Sequence, residues 1–68
     1  MVFREKVKQV RKQLFLSQEM LANKLGVAFA TVNRWETGKN SPNYYAQRTF
    51  AEFCKSNGIK PDWEIQDE

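Results

Sequence analysis

The sequence predicts an all-α domain, a compact bundle of four to five short helices within residues 1–68. Apolar residues recur three and four positions apart in separate segments, which is the spacing that lines one face of a helix. Glycine follows three of these segments, and glycine commonly ends a helix because it adopts positive φ without strain. A buried strand over residues 25–32 is the alternative, but it would leave the polar Asn33 and Arg34 without partners.

The first predicted helix begins at Phe3 and ends near Leu14 or Phe15. Its apolar stripe has a spacing of four, three and four residues and consists of Phe3, Val7, Val10 and Leu14. The cations between these positions are expected on the outward side, facing solvent or an anionic partner: Arg4, Lys6, Lys8, Arg11 and Lys12.

The second predicted helix follows Ser17, whose short hydroxyl side chain suits the N-cap position. Glu19 in the first turn complements the positive end of the helix dipole. The expected core face consists of Met20, Leu21 and Leu25. Gly26 supplies the positive φ that a helix C-terminus needs.

The third predicted helix spans residues 28–36 and stops at Gly38, and the fourth spans residues 44–56. In the fourth, Phe50, Phe53 and Cys54 recur at helical intervals, and Gly58 closes the helix.

A short final helical turn is predicted after Pro61, because proline suits the first position of a helix. This turn would hold Trp63 and Ile65. The acidic tail, residues 66–68, is expected to fray.

Composition argues against a catalytic or metal-binding protein. The chain has no histidine and one cysteine, so neither a disulfide nor a familiar zinc site can form within it. Nucleophilic and general acid–base schemes lose their commonest participant, and the spacing of the carboxylates suggests no shared cleft. Cys54 is expected to be a small apolar residue of a helix. We expect no enzyme activity, no cofactor and no metal.

Charge is distributed unevenly along the chain. Residues 1–40 hold eight Lys and Arg against three Glu, a net +5, whereas residues 41–68 hold three cations against five carboxylates, a net −2. A basic N-terminal part indicates a polyanion met by one face, although a solvated basic surface gives the same pattern. No apolar run approaches the roughly 20 residues that span a bilayer, and the N-terminus lacks a signal-peptide core. We expect a cytoplasmic protein without a membrane partner.

Residues 17–38 contain a registered motif that starts at Gln18. The motif has a small fifth residue, a glycine at its ninth position and apolar residues at its fifteenth and eighteenth, filled here by Ala22, Gly26, Val32 and Trp35. The flanking segments LSQ, LGV and RWETG also match. The chain resembles the helix-turn-helix of the phage-repressor class, the xenobiotic-response-element or Cro/repressor family. The resemblance extends from about residue 3 to residue 63 and implies a lambda-repressor-like DNA-binding domain.

The resemblance also implies a salt bridge. In the family, an arginine on the first helix meets a glutamate at the end of the third, and Arg11 and Glu36 occupy the matching positions. Trp35 beside them would restrict solvent, and the bridge would fix the angle of the recognition helix. Two separately solvated charges are the alternative.

The third helix is the recognition helix of the family, and its outward side is expected to read DNA bases. At about 100° per residue, Val32 and Trp35 define the buried side. The candidate base-reading residues are Phe29, Ala30, Asn33, Arg34 and Thr37. Arg34 can pair with guanine and Asn33 with adenine, although Arg34 could bind a phosphate instead. Phe29 departs from the usual polar residue, and it either contacts a thymine methyl group or packs over the stem of Gln18.

Candidate phosphate contacts flank the recognition helix. Gln18 begins the second helix, where free backbone N–H groups and the helix dipole favour an anion. The loop after the third helix supplies Lys39, Asn40 and Ser41, and Lys12 of the first helix adds to the positive field. Such contacts hold register without reading sequence. A solvated polar side chain is the alternative for each.

These expectations describe a sequence-specific, double-stranded DNA-binding regulator of transcription, for example a small repressor. One unit of this size buries a modest surface, so we expect a homodimer on a palindromic operator with half-sites about 34 Å apart. Two alternatives remain open. One is an antitoxin-like operator-binding protein that also binds a partner protein, and the other is a helix-turn-helix module used mainly for protein–protein contact.

Overall fold

The computed structural model describes residues 2–38 and 42–64 and contains four helices in these ranges. They are α1 (Phe3–Gln13), α2 (Gln18–Leu25), α3 (Phe29–Thr37) and α4 (Tyr44–Ser56). No strand occurs in the two described ranges, so the all-α prediction is confirmed. α2 and α3 pack against each other, α3 also packs against α1, and α4 contacts α1 and α2.

The predicted start of α2 is confirmed by its capping interaction. The Oγ of Ser17 accepts a hydrogen bond from the backbone N–H of Met20 at 3.0 Å. Met20 itself is 48% exposed, so its predicted place in the core is wrong. The cap sets Met20 in the first turn at the edge of the buried stripe, and Leu21 and Ala22 fill the inner face instead.

The core is an aromatic cluster enclosed by aliphatic side chains. Phe3 makes edge-to-face contacts with Trp35, Phe50 and Trp63, at ring-centroid distances of 5.5, 5.6 and 5.3 Å. Such pairs contribute about 0.5–1.5 kcal/mol each beyond the burial of their area. One residue near the N-terminus therefore joins α1 to α3, to α4 and to the C-terminal end of the described chain.

The final helical turn predicted after Pro61 does not form. Residues 59–64 run as an irregular segment with a bend at Trp63, and we call them the C-terminal strap. Trp63 is 4% exposed, and its Nε1–H donates to Oε1 of Gln47 at 3.3 Å. The strap is therefore held by a side-chain partner on α4 as well as by backbone bonds at Ile59 and Asp62. Ile65 and the tail 66–68 lie outside the described residues.

Lys6 is buried by the strap, which contradicts its predicted place on a solvated or DNA-facing side. Its side chain is 7% exposed, and its Nζ lies 2.8 Å from Oδ1 of Asp62. The hydrogen bond from Lys6 holds the pKa of Asp62 below its usual value. The periodicity of α1 could not reveal this because the covering segment is 56 residues away in sequence.

Phe15 follows α1 in the left-handed backbone conformation that glycine adopts after the other helices of this chain. Its φ is 58°, and its N–H and that of Leu16 bond to the carbonyls of Lys12 and Arg11 at the end of α1. The same pair of bonds closes α2 at Gly26 and α4 at Gly58. A left-handed residue that carries a Cβ costs about 1–2 kcal/mol, and the Phe15 side chain is 91% exposed, so packing offsets little of this cost.

Phe15→Gly should raise the free energy of unfolding by about 1 kcal/mol, because glycine adopts the left-handed conformation without strain. Urea denaturation of the two proteins measures this difference. Gly26→Ala is the matched control, since φ there is 73° and an added Cβ would meet no atom within 4 Å. That variant should lose stability through backbone strain alone. A destabilised Phe15→Gly variant would show that the Phe15 ring makes a stabilising contact.

Candidate nucleic-acid interface

The two sides of α3 differ sharply in exposure. Val32 is fully buried and Trp35 is 7% exposed, so these two residues seat the helix on the core. The opposite side presents four of the candidate base-reading residues to solvent, namely Ala30, Asn33, Arg34 and Thr37. We call these four residues the reading surface.

Phe29 stands beside the reading surface in the first turn of α3. Its side chain is 52% exposed, so about half of the ring is available to a partner. Both interpretations of this residue, contact with a thymine methyl group and packing on the protein, remain predictions.

Asn33 connects the reading surface to the start of α2. Its Nδ2 donates to Oε1 of Gln18 at 3.1 Å, and both side chains are accessible to solvent. An amide nitrogen carries two hydrogens, so Asn33 keeps one donor and its carbonyl oxygen for another partner. Gln18 likewise keeps its own amide N–H₂ group. The structure thus brings one candidate base-reading residue and one candidate phosphate contact into a single polar pair.

Arg34 projects from the middle of the reading surface and forms no salt bridge within the described residues. The Oγ1 of Thr37 donates to the carbonyl oxygen of Arg34 at 3.1 Å. Thr37 therefore uses its hydroxyl hydrogen within the helix and retains acceptor capacity toward solvent. The free guanidinium of Arg34 is the strongest hydrogen-bond donor on this face.

A groove of about 370 Å³ separates α3 from the start of α4, and no pattern in the sequence indicates it. Arg34 and Thr31 line its α3 side, while Pro42, Asn43 and Tyr45 form the opposite side, which we call the α4 wall. Tyr45 is 75% exposed. The Oδ1 of Asn43 accepts from the N–H of Ala46 at 2.7 Å and so caps α4.

Arg11 and Glu36 form a two-bond salt bridge between the end of α1 and the end of α3. Nε and Nη2 of Arg11 donate to the Glu36 carboxylate at 2.7 and 3.0 Å, and Nη1 donates to the carbonyl oxygen of Leu16 at 3.2 Å. The side chains are 16% and 6% exposed, respectively. The hydrogen bond to Glu36 raises the pKa of Arg11. The bridge therefore fixes the C-terminal end of α3 relative to the end of α1.

Arg4 is a second cation at the C-terminal end of α3, and sequence reasoning did not assign it there. A Cβ added at Gly38 would lie 2.5 Å from Cδ of Arg4, so the arginine stem crosses directly over this glycine. The φ of Gly38 is 69°, which also favours glycine. A cation at this point complements the negative end of the helix dipole.

Of the remaining candidate phosphate contacts, one lies within the described residues and three do not. Lys12 lies exposed in the last turn of α1. Lys39, Asn40 and Ser41 lie outside the described residues. Among the described residues, no cluster of His, Cys, Asp and Glu could hold a metal ion, and no helix is long and apolar enough to cross a membrane.

Cys54 is fully buried in α4, and desolvation raises the pKa of its thiol to about 11. Because the thiolate is the nucleophilic form, this residue is unreactive in the folded protein. Its position agrees with the predicted role as a small apolar residue of a helix.

Comparison with known proteins finds a helix-turn-helix family model that matches residues 7–45, more than half of the chain. The chain is also similar to the HTH-type transcriptional activator BcrR of Enterococcus faecalis, with 38% identity over 53 residues. That match covers 78% of this chain and 26% of the relative, so the chain spans about a quarter of the length of this relative. No solved structure shows a significant match.

Arg11→Met should lower the free energy of unfolding by about 3 kcal/mol, because it leaves the 6% exposed Glu36 carboxylate without its partner. Glu36→Gln should cost less, since the 16% exposed Arg11 keeps its bond to Leu16. The double variant should cost less than the sum of the two single changes. Chemical denaturation of all four proteins measures the coupling.

The exposed pair Arg48–Glu52 provides the control for this cycle. Its charged atoms are 3.8 Å apart and its side chains are 65% and 69% exposed. Arg48→Met should therefore change stability by no more than about 0.5 kcal/mol. If the Arg11 and Glu36 variants behaved like this control, with additive and near-zero effects, the two charges would be independently solvated.

Proposed function

The chain belongs to the XRE-type helix-turn-helix family of DNA-binding proteins, and from this premise we propose that it is a sequence-specific regulator of transcription. In this proposal, α3 enters the major groove of double-stranded DNA. The observation that carries the proposal is the division of α3 into a buried side and the exposed reading surface. This is a family of DNA-binding regulators, and the proposal includes no catalytic step.

The reading surface supplies the groups that base recognition requires. The guanidinium of Arg34 can donate to O6 and N7 of guanine, and an asparagine amide can donate to N7 and accept from N6 of adenine. The bond from Asn33 to Gln18 is compatible with that role, because one Nδ2 hydrogen and the Oδ1 atom remain available. Ala30 and Thr37 have small side chains, so they allow α3 to approach the base edges. Phe29 would meet a thymine methyl group at the start of the helix.

Phosphate contacts are proposed on both sides of α3. Gln18 lies at the first position of α2, where unpaired backbone N–H groups and the helix dipole attract an anion. Lys12 adds a cation from α1, and the proposal retains Lys39, Asn40 and Ser41 on sequence grounds. These residues would set the register of the protein on the duplex and would read no bases.

We also infer that two copies act together on a palindromic site. The long dimension of the molecule is 30 Å, close to the roughly 34 Å between half-sites on successive turns of DNA. Two copies can therefore lie side by side on one face of the duplex. The relative is named an activator, so the proposal covers activation as well as repression.

The first test is selection from a random duplex library at two salt concentrations, followed by gel-shift titration of the selected site. We expect a palindromic or pseudo-palindromic preference, with affinity that falls steeply as salt rises because phosphate neutralisation releases counterions. Equally weak binding to selected and scrambled duplexes at every salt concentration would rule out sequence-specific binding.

The second test separates base reading from phosphate binding. Arg34→Ala should relax the preference at one base position of each half-site by about 1–3 kcal/mol. Lys39→Ala should weaken binding to all sequences and reduce the salt slope by about one unit. Lys55→Ala, at the far end of α4, is the matched control for removal of a cation and should leave both properties unchanged. A uniform loss of affinity in Arg34→Ala, with the selected motif intact, would reassign Arg34 to a phosphate.

A further inference from the structure

The groove between α3 and α4 lies on one flank of the reading surface. A helix in the major groove has a DNA backbone on each side, because the phosphates line both edges of that groove. Gln18 lies on one flank of the reading surface, where it accepts a hydrogen bond from Asn33. Arg34 faces the other flank, where it lines the groove opposite the α4 wall. On the proposed function, this wall is therefore the part of the protein that faces the second strand.

A buried chain of hydrogen bonds fixes the α4 wall from behind. Nε2 of Gln47 donates to the carbonyl oxygen of Pro42 at 3.2 Å, and Oε1 of Gln47 accepts from Nε1 of Trp63 at 3.3 Å. Gln47 is 1% exposed and Trp63 is 4% exposed. Pro42 directly precedes Asn43, whose side chain caps α4 and thereby sets the first turn that carries Tyr45.

The chemistry of this chain of bonds requires an amide at position 47. The Pro42 carbonyl can only accept and the Trp63 indole N–H can only donate, so the group between them must do both. Glutamine meets this condition, whereas a carboxylate or an apolar side chain of similar length does not. In a site this dry, the two bonds also fix the side-chain amide in one orientation.

We propose that Gln47 and Trp63 are positioning residues for DNA binding. They hold Pro42, and with it Asn43 and Tyr45, at the place where the α4 wall meets the phosphates of one strand. Both residues are buried, so neither touches DNA, and they act through the wall that they position. Asp62, held by Lys6, precedes Trp63 and keeps the strap in place over α1. The inference rests on the proposed function and adds to it the residues that position the α4 wall.

The test compares the affinity for the selected duplex and for a scrambled duplex in four proteins, each corrected for its folded fraction and measured at two salt concentrations. Gln47→Met removes the amide at nearly constant volume, and the double variant Gln47→Met/Trp63→Phe removes both the amide and the indole donor. Removing both partners leaves fewer buried polar groups unsatisfied, so the double variant remains folded if the single one does not. Phe53→Leu is the matched control, because Phe53 stacks on Phe50 in the same core at 6.1 Å but does not bond to Pro42.

The α4 wall carries no cation, so loss of its contact releases no counterion and should leave the slope of log affinity against log salt at the wild-type value. We expect Gln47→Met and the double variant to bind the selected and scrambled duplexes about tenfold more weakly per folded molecule, with an unchanged base preference. Phe53→Leu should keep the wild-type affinity per folded molecule, since lost stability alone removes no phosphate contact.

Three results would overturn the inference, and they are distinguishable. If the wild-type protein binds its selected duplex and the double variant binds it equally tightly per folded molecule, then Gln47 and Trp63 are only core residues. If the wild-type protein shows no salt-dependent duplex binding, the proposed function fails and the inference fails with it. A weaker affinity in the double variant together with an altered base preference would also contradict the inference, because it would place the effect on the reading surface.

Discussion

The salt bridge between Arg11 and Glu36 determines the orientation of the reading surface relative to the rest of the molecule. The Glu36 carboxylate is 6% exposed, so it has little access to water and depends on the two donors of Arg11. The third donor of the same guanidinium bonds to the carbonyl oxygen of Leu16, in the turn between α1 and α2. One side chain thus joins α3, and the turn that leads into α2, to α1. A buried ion pair of this kind contributes little net stability, and its value lies in permitting one arrangement of the helices.

The C-terminal end of α3 is held to α1 by side-chain contacts. Trp35 meets Phe3, Glu36 binds Arg11, and the stem of Arg4 lies over Gly38. At the other end, Ala28 at the N-cap provides no side-chain hydrogen bond. The first turn of α3, which carries Phe29 and Ala30, therefore lacks the side-chain cap that Ser17 and Asn43 give to α2 and α4.

The sequence predicted the regular elements well because helix periodicity and capping are local signals. The bounds of α4 and the cap of α2 are as expected, and the family pattern placed Arg11 and Glu36 where they could meet. The failures at Lys6 and after Pro61 share one cause, which is a partner distant in sequence. Lys6 is buried only because the strap covers it.

The same cause hid two other features. Residues after Pro61 stay irregular because Trp63 finds Gln47, and no local pattern marks Gln47 as a buried residue. The groove beside α3 could not be predicted, since it arises from how two helix ends meet. Phe15 was missed for a different reason. In a sequence, glycine is the usual sign of a left-handed backbone position, and this position carries phenylalanine instead.

The separation of the two sides of α3 has an evolutionary consequence. Residues that hold the fold, such as Val32 and Trp35, share no position with the reading surface, whose members are exposed. Substitutions at exposed helical positions usually change stability by less than about 0.5 kcal/mol. A lineage that carries this domain can therefore exchange Ala30 or Arg34 while folding is preserved. On the proposed function, divergence of target sequence among duplicated copies then needs few mutational steps and no compensating change in the core.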